Sequence, residues 1–413
     1  MIEKNRFPLP EKGLSQEEVL SHLDEIKLDP VRGHWSKAFR ATPDVQKLGQ
    51  AVYQNFFSDN GIFSRRVPYM RDIEGQVIDM CLSILNGGEN SAGNMTSGGS
   101  ESIYSALHAI REWAKEHKPQ VKEPTVVVPY SAHPTFSKGC HYFGMKLVRV
   151  PLGSDYRADV KAMENAINED TVAVVGSAPC WPYALYDPIE DIAALARKND
   201  LWMHVDACVG GYLAPFAKKL GHDLKPWDFS VDGVTSISAD LHKYGYCPKP
   251  CSTILWRDES LQKYHYVHPS DWPGGAYSTT GFAGTRIGGA IFAAWAVMNY
   301  LGEDGYLKMA KRVLDSRAEL IRRINEIDEL EVWETDLLPL PVRGTGVDIG
   351  KVSAAMYARG WIMLGNQEPP LLNLPIDAAV DETVIDCFMS DITEVVRGIV
   401  SGDIDSGSSL VYG

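Results

Sequence analysis

Residues 238–250, SADLHKYGYCPKP, form a short polar segment between two apolar runs, VTSIS and STILW. The segment places His242 and Lys243 side by side just after a predicted strand. A lysine in a loop of this kind is ordinarily a solvated surface side chain. Whether Lys243 has a chemical role therefore depends on which other side chains the fold brings to the same place.

Short apolar runs alternate with helical patterns over most of the chain on both sides of this segment. The runs are rich in β-branched residues and read TVVVP, MKLVRVPL, TVAVVGS, LWMHVD, GVTSIS and CSTILW. Strands that alternate with helices of about 10 to 15 residues predict an α/β fold with a mostly parallel sheet covered on both faces. The carboxyl ends of such strands meet at one edge of the sheet, where we expect the active site.

Four polar features occur along the chain in a fixed order near predicted strand ends. They are the glycine-rich turn TSGGSES at residues 96–102, then His133, then Asp206, then the His242–Lys243 pair. Taken singly, each has an ordinary explanation: a tight turn with a capping serine, a structural histidine, a helix-capping aspartate and a solvated lysine. Taken together, they provide what a pyridoxal phosphate site requires.

In such a site a lysine amine forms a Schiff base with the cofactor, and an acidic residue keeps the pyridine nitrogen protonated. The amides at a helix start hold the phosphate, an anion that suits a glycine-rich turn leading into a helix. The order therefore predicts Lys243 as the Schiff-base lysine and Asp206 as the pyridine partner, with His242 donating to the phosphate.

Composition bounds the domain organisation and the possible partners. The chain has 413 residues, of which 45% are hydrophobic and 23% charged, and its formal net charge is −14. The length suits a large α/β domain with a smaller one, and the acidic charge argues against binding to nucleic acid or to an anionic membrane. We predict an N-terminal arm with helices at 1–64, a large cofactor-binding domain at 65–300 and a small α+β domain at 301–413.

The cysteines and the apolar runs bear on the compartment. Seven scattered cysteines in a chain of this length predict a reducing, cytoplasmic compartment rather than a disulfide framework. Cys247 and Cys251 lack a second pair at matching spacing, so we interpret them as packing residues and expect no metal. Neither a targeting segment nor a membrane span is predicted.

Five motifs make the sequence resemble the sphingosine-1-phosphate lyase family, which is close to the group II pyridoxal-phosphate-dependent decarboxylases. In order they are NMTSGGSESI, GSAPCWPYALYDPIEDIA, LWMHVDACVGGY, SADLHKYGYCPKP and GFAGTRIGG. The resemblance implies the aspartate-aminotransferase-like fold, also called fold type I. That fold has a large domain with a mostly parallel seven-stranded sheet and a small α+β C-terminal domain.

The resemblance also implies roles for residues around the cofactor. His133 matches the residue that stacks on the cofactor ring, and Gly99, Ser100 and His242 match the residues that hold its phosphate. Thr285, in FAGTRIGG, matches a loop residue that completes the phosphate cradle of the neighbouring subunit. A homodimer with composite active sites is therefore expected.

Two further matches concern the substrate. Lys249 matches a lysine that contacts the phosphate of the substrate, and Tyr183 in CWPY matches a tyrosine that faces it. The family usually carries an Asn-Pro-Leu-His stretch whose histidine helps to bind that phosphate, whereas this chain reads DNGIFSRR. Phe63 replaces the histidine. Arg65 or Arg66, close behind, either takes its place as a substrate-binding residue or points into solvent, so the long-chain substrate of the family is not implied for this chain.

These features favour a pyridoxal-phosphate-dependent carbon–carbon lyase acting on a phosphorylated or similarly anionic β-hydroxy amine. Its retro-aldol cleavage gives an aldehyde and an amine such as phosphoethanolamine. The alternative is a group II amino acid decarboxylase, whose substrate carboxylate needs a cationic clamp. The segment LLNLPID, where that group tends to place its arginine, has none, but Arg343 in PVRGTG is either a clamp or a surface side chain. A catalytically silent binding protein is a third alternative, against which the presence of Lys243, Asp206 and His133 argues.

Overall fold

The computed structural model describes residues 9–24, 29–37, 39–63, 68–279 and 281–410. Within these ranges the helices are α1 Gln16–Asp24, α2 Pro43–Asn55, α3 Pro68–Ile84, α4 Gly99–His117, α5 Thr135–Phe143, α6 Val160–Ala166, α7 Ile189–Lys198, α8 Ala214–Lys219, α9 Glu259–Gln262, α10 Gly288–Ile324, α11 Ile349–Ala358 and α12 Glu382–Ser401. Among them, no helix combines the length and apolarity needed to cross a membrane.

A seven-stranded sheet forms the centre of the larger part of the protein. Its strands are β1 Ala92–Thr96, β2 Thr125–Pro129, β3 Lys146–Val150, β4 Thr171–Ser177, β5 Trp202–Asp206, β6 Ser236–Ala239 and β7 Ser252–Trp256. They lie in the order β1-β7-β6-β5-β4-β2-β3. Only β7 runs against the others, since it pairs antiparallel with both β1 and β6. The mostly parallel α/β sheet predicted from the sequence is therefore confirmed.

The sheet is covered on both faces, as the alternation of its core residues demonstrates. Val126 and Val128 of β2 pack with buried side chains of α4 and α5, whereas Val127 between them packs with the core on the opposite face, which includes α7. Successive side chains of a strand point to opposite faces, so a run such as TVVVP must be apolar throughout when helices lie on both sides.

A second, antiparallel sheet lies in the C-terminal part of the chain. Its strands are β8 Leu330–Val332, β9 Leu340–Gly344, β10 Leu364–Gln367 and β11 Pro370–Leu374, in the order β10-β11-β9-β8. With α11 and α12 it makes the small α+β unit that the sequence predicts. The boundary near residue 300 stays a prediction; it falls inside α10, two residues before Gly302, whose φ of 55° interrupts the helix.

The first strand, β1, is not predicted from the sequence. The residues AGNMT of β1 contain no β-branched run, and only pairing with the apolar strand β7 makes them a strand. β1 matters for function because the glycine-rich turn follows it, at the same edge of the sheet as the ends of β2, β5 and β6.

Candidate active site

A cavity of about 410 Å³ opens at the carboxyl edge of the large sheet. The turn after β1 lines it with Gly99 and Ser100, the loop after β2 with His133, the end of β5 with Asp206, and the turn after β6 with the His242–Lys243 pair. The structure thus brings together all four features that the sequence places in order. They converge because β1, β2, β5 and β6 run in the same direction.

Lys243 is the cation of this cavity, and a buried carboxylate holds it in place. Its Nζ lies 2.9 Å from Oδ2 of Asp240, whose side chain is only 3% exposed. Burial by itself disfavours the ammonium, but the charge of Asp240 outweighs it and raises the pKa of Lys243. Asp240 also accepts a hydrogen bond from Ser252 Oγ at 2.5 Å. Asp240 is not among the residues predicted from the sequence, although it stands only three residues before the lysine.

His133 presents a neutral imidazole to the cavity. The backbone N–H of Thr135 donates to its Nδ1 at 3.2 Å, and Thr135 Oγ1 lies 2.8 Å from the same atom. A backbone N–H can only donate, so Nδ1 accepts and the ring carries its proton on Nε2. Burial lowers the pKa of His133, which keeps the ring uncharged near neutral pH. A neutral, fixed ring is well suited to stack on a flat aromatic group.

Asp206 ends β5 with its carboxylate at the cavity and a chain of polar groups behind it. Its Oδ1 accepts the backbone N–H of Cys208 at 3.1 Å and the Oγ–H of Ser238 at 3.4 Å. Ser238 Oγ in turn lies 3.2 Å from Nε2 of His204, a fully buried histidine whose pKa burial lowers to about 4. These groups fix the orientation of the Asp206 carboxylate. A fixed carboxylate is suited to pair with a charged atom of a bound cofactor.

The glycine turn leaves room for an anion at the start of α4. Gly98 precedes the helix, and in the described part of the chain no side chain caps its first N–H groups. A Cβ on Gly99 would lie 2.7 Å from Cys208 Sγ and 3.0 Å from an oxygen of Asp240. Only glycine therefore fits, and the helix N-terminus with its dipole faces the cavity that Ser100 and His242 also line. This arrangement fits the phosphate of pyridoxal phosphate.

Two candidate substrate residues lie in cavities next to this one. Tyr183 lines a cavity of about 510 Å³ that shares His133 and Trp181 with the first, and its hydroxyl donates to the Glu368 carbonyl at 2.8 Å. Burial raises the pKa of Tyr183 to about 12, so it is a donor and not a phenolate. Lys249 lines a smaller cavity that shares His242 with the first.

Arg343 does not lie with these residues. It sits on β9 in the small sheet, where its guanidinium forms an exposed ion pair with Glu331 Oε2 at 2.5 Å and lies over the ring of Trp333. The surface explanation is therefore the better one for Arg343. Arg65 and Arg66 lie outside the described residues, as does the side chain of Phe63.

Thr285 does not line the cofactor cavity of its own chain. It is exposed, and Asn60 Nδ2 donates to its Oγ1 at 3.3 Å. The next residue, Arg286, binds Glu74 through both terminal nitrogens, at 2.5 and 2.8 Å, with both side chains 11% exposed. Arg286 therefore anchors the loop to its own chain, while Thr285 faces outward.

Comparisons with known proteins agree with this geometry. Residues 8–340 match the pyridoxal-dependent decarboxylase conserved domain. Sphingosine-1-phosphate lyase 1 of Rattus norvegicus is 38% identical over 414 residues, covering 98% of this chain and 72% of that protein.

Solved structures give the same result. The structure of the Burkholderia pseudomallei sphingosine-1-phosphate lyase superposes with a TM-score of 0.88 at 32% identity, covering 95% of this chain and 92% of that one. Lactobacillus brevis glutamate decarboxylase superposes with a TM-score of 0.83 at 19% identity, over 97% of this chain and 96% of that one, which supports the fold alone. The predicted fold type I architecture and the predicted cofactor are confirmed. The chain belongs to the pyridoxal-dependent decarboxylase family, among its sphingosine-1-phosphate lyase-like members, and is a pyridoxal-phosphate-dependent lyase.

Proposed function

We propose that the protein is a carbon–carbon lyase that cleaves a phosphorylated β-hydroxy amine into an aldehyde and an amino phosphate such as phosphoethanolamine. The observation that carries the proposal is the convergence of Lys243, Asp206 and His133 on one cavity beside the glycine turn. The relatives named sphingosine-1-phosphate lyase support this type of bond cleavage. An intact set of these side chains argues against a silent binding protein.

Each side chain has a distinct task in this proposal. Lys243 holds the cofactor covalently, His133 packs against its ring, and Asp206 keeps the pyridine nitrogen protonated. Gly99 and Ser100 amides, with His242, hold the phosphate. When bound, pyridoxal phosphate supplies an electron sink that accepts the pair released from a bond to the substrate Cα.

In the retro-aldol direction the Cα–Cβ bond breaks, a base takes the proton of the β-hydroxyl, and that oxygen becomes the carbonyl of the departing aldehyde. A proton added to Cα then completes the amine product. The protein selects this bond by holding it perpendicular to the ring, so residues that bind the ends of the substrate decide the reaction. Lys249, beside His242, is suited to hold the anionic end.

Among the described residues, we find no arginine placed to act as the carboxylate clamp of a decarboxylase. In the described ranges no arginine lines the cavity of Lys243. Arg149 lines the adjoining cavity, but its Nη1 donates to the carbonyls of Tyr130 and Ala132 at 3.0 and 2.8 Å, and its Nη2 to Ser137 Oγ at 3.1 Å. Arg343 is paired with Glu331, as described above.

The experiment that tests the function scores both products separately. The enzyme is incubated with phosphorylated sphingoid bases, short amino-alcohol phosphates, β-hydroxy amino acids and plain amino acids, and aldehyde and carbon dioxide are measured in each case. We expect aldehyde without carbon dioxide from phosphorylated β-hydroxy amines. Carbon dioxide from a plain amino acid, with no aldehyde from any phosphorylated amine, would establish the decarboxylase instead.

Lys249→Ala should lower kcat/KM for the phosphorylated substrate about thirtyfold, since a charge-assisted contact contributes roughly 2 kcal/mol. The same change should leave turnover of an unphosphorylated β-hydroxy amine within about twofold, because that substrate lacks the anion. Steady-state kinetics on both substrates measure the difference. An equal loss on both would remove Lys249 from the anion site.

We also propose a homodimer with composite sites. Large exposed apolar side chains cluster in the segment that ends with the Thr285 loop, as interfaces require: Val267, Trp272, Tyr277, Phe282 and Ile287. Thr285 itself is exposed and outside its own cavity, which suits a role in a neighbouring site.

All seven cysteines are free, and this supports the proposed cytoplasmic location.

Hybrid dimers test the shared sites. Lys243→Ala and Thr285→Trp chains should each be inactive, and their mixture after subunit exchange should recover about a quarter of wild-type activity, since half the dimers carry one intact site. Mixing Lys243→Ala with Asp206→Asn is the matched control, because both residues line the same chain's cavity and no intact site can form. A monomer in sedimentation velocity, or no recovery despite exchange, would refute composite sites.

A further inference from the structure

A small cavity of about 190 Å³ lies on the other side of His242 from the cofactor cavity. One wall is the N-terminal segment around Phe39 and Arg40 with the start of α2, and the opposite wall is the loop that carries Lys249. His242 is a shared wall, so this cavity adjoins the site where the cofactor phosphate is expected.

Two residues with cationic side chains, Lys249 and Arg40, line this cavity. Lys249 is exposed as a whole residue, but partial burial of its ammonium lowers its pKa. The charge of Lys243 also lowers this pKa, whereas the charge of Asp377 raises it. Arg40 comes from a segment more than 200 residues earlier in the chain. Its Nε–H is buried and has no hydrogen-bond partner within the described ranges. A buried donor without an acceptor is costly, and Arg40 is one of the residues that line the cavity.

A relay of buried groups fixes the Arg40 side chain. Its Nη2 donates to Nδ1 of His34, so the His34 proton is on Nε2, which donates to Asp377 Oδ1 at 3.0 Å. Asp377 Oδ2 also accepts the backbone N–H of Arg40 at 2.8 Å, and its Oδ1 accepts that of Ala379 at 3.0 Å. His34 is 2% exposed and Asp377 is fully buried. The Asp377 carboxylate therefore already accepts several hydrogen bonds, and the hydrogen bond to His34 fixes the Arg40 guanidinium.

We propose that Arg40 is the second cation that holds the phosphate of the substrate, opposite Lys249. The proposal rests on the proposed function, which supplies a substrate with a phosphate at one end. Arg40 would also replace the cation that is lost because Phe63 stands where the family has a phosphate-binding histidine. A phosphate monoester carries close to two negative charges at neutral pH, and a lysine with an arginine fork matches both its charge and its oxygens.

The test measures binding of inorganic phosphate to the pyridoxal-phosphate-loaded enzyme by calorimetry, because the cofactor already fills its own phosphate site. Arg40→Gln should weaken phosphate binding about tenfold to thirtyfold, and Arg40→Lys should restore part of the loss. His34→Leu should weaken binding about threefold to tenfold, since it removes only the support of Arg40. Lys47→Gln removes an exposed positive charge from nearby α2 and should change nothing.

The visible spectrum of the bound cofactor should be the same in every one of these variants. Failure of the wild-type enzyme to bind phosphate, or equal binding by wild type and Arg40→Gln, would overturn the role of Arg40. A parallel kinetic assay keeps the two proposals apart. If phosphate binding depends on Arg40 but no phosphorylated amine yields aldehyde, the anion site stands and the lyase function falls.

Discussion

Replacing Lys243 with alanine is expected to abolish both the yellow colour of the purified protein and its activity, with a loss of about 10⁴-fold or more in kcat. The reason is that Lys243 is the only amine that lines the cavity of His133 and Asp206 in the described part of the chain. Borohydride reduction followed by peptide mapping should place the pyridoxyl group of the wild type on Lys243. A label on any other lysine would contradict the assignment.

This substitution needs a control for folding. Without Lys243 the buried Asp240 loses its ion-pair partner, and an uncompensated buried carboxylate can cost several kcal/mol. The double variant Lys243→Ala with Asp240→Asn removes the charge as well and should recover thermal stability while staying inactive. Lys249→Ala should remain yellow, because Lys249 lies beyond His242 in the neighbouring cavity.

Asp206→Asn should lower kcat by about 10²- to 10³-fold, while the cofactor stays covalently bound. Asparagine keeps an oxygen for the Cys208 N–H and the Ser238 hydroxyl, so the change removes the charge and little else. With the proposed role of Asp206, the pyridine nitrogen would lose the anion that keeps it protonated, and the cofactor would accept electrons less readily. Single-turnover kinetics with a cofactor absorption spectrum measure both effects.

Asp223→Asn, at an exposed aspartate, is a suitable control for the loss of one negative charge. Turnover of Asp206→Asn within about threefold of wild type would mean that another group protonates the ring nitrogen.

The fold could be predicted far better than the contacts of the site. Runs such as TVAVVGS are apolar on both faces, and only a strand buried between helix layers needs that pattern. β1 could not be predicted because AGNMT contains no apolar run of this kind. The antiparallel direction of β7 could not be predicted either, because it depends on pairing with β1 and β6, which a local pattern does not encode.

Within the site, Lys243, Asp206 and His133 could be placed because strand direction brings strand ends together. Contacts between elements that are distant in the sequence could not be predicted. Arg40 and Lys249 come to line one cavity, and Arg343 pairs with Glu331, through packing of separate elements, which sequence spacing does not record. The pair formed by Asp240 and Lys243 could have been predicted, since a carboxylate three residues before a lysine in a tight turn can contact its amine.

The loop between β6 and β7 links the two ends of the proposed substrate site. His242 N–H donates to the Cys251 carbonyl at 2.8 Å, and the Cys251 N–H donates to His242 Nδ1 at 3.2 Å. These bonds close the loop at its base, so Lys243 at one side and Lys249 at the other keep a fixed separation. With the proposed roles of Lys243 and Lys249, the loop would limit how many atoms a substrate can have between its amino group and its anion, independently of the length of its tail.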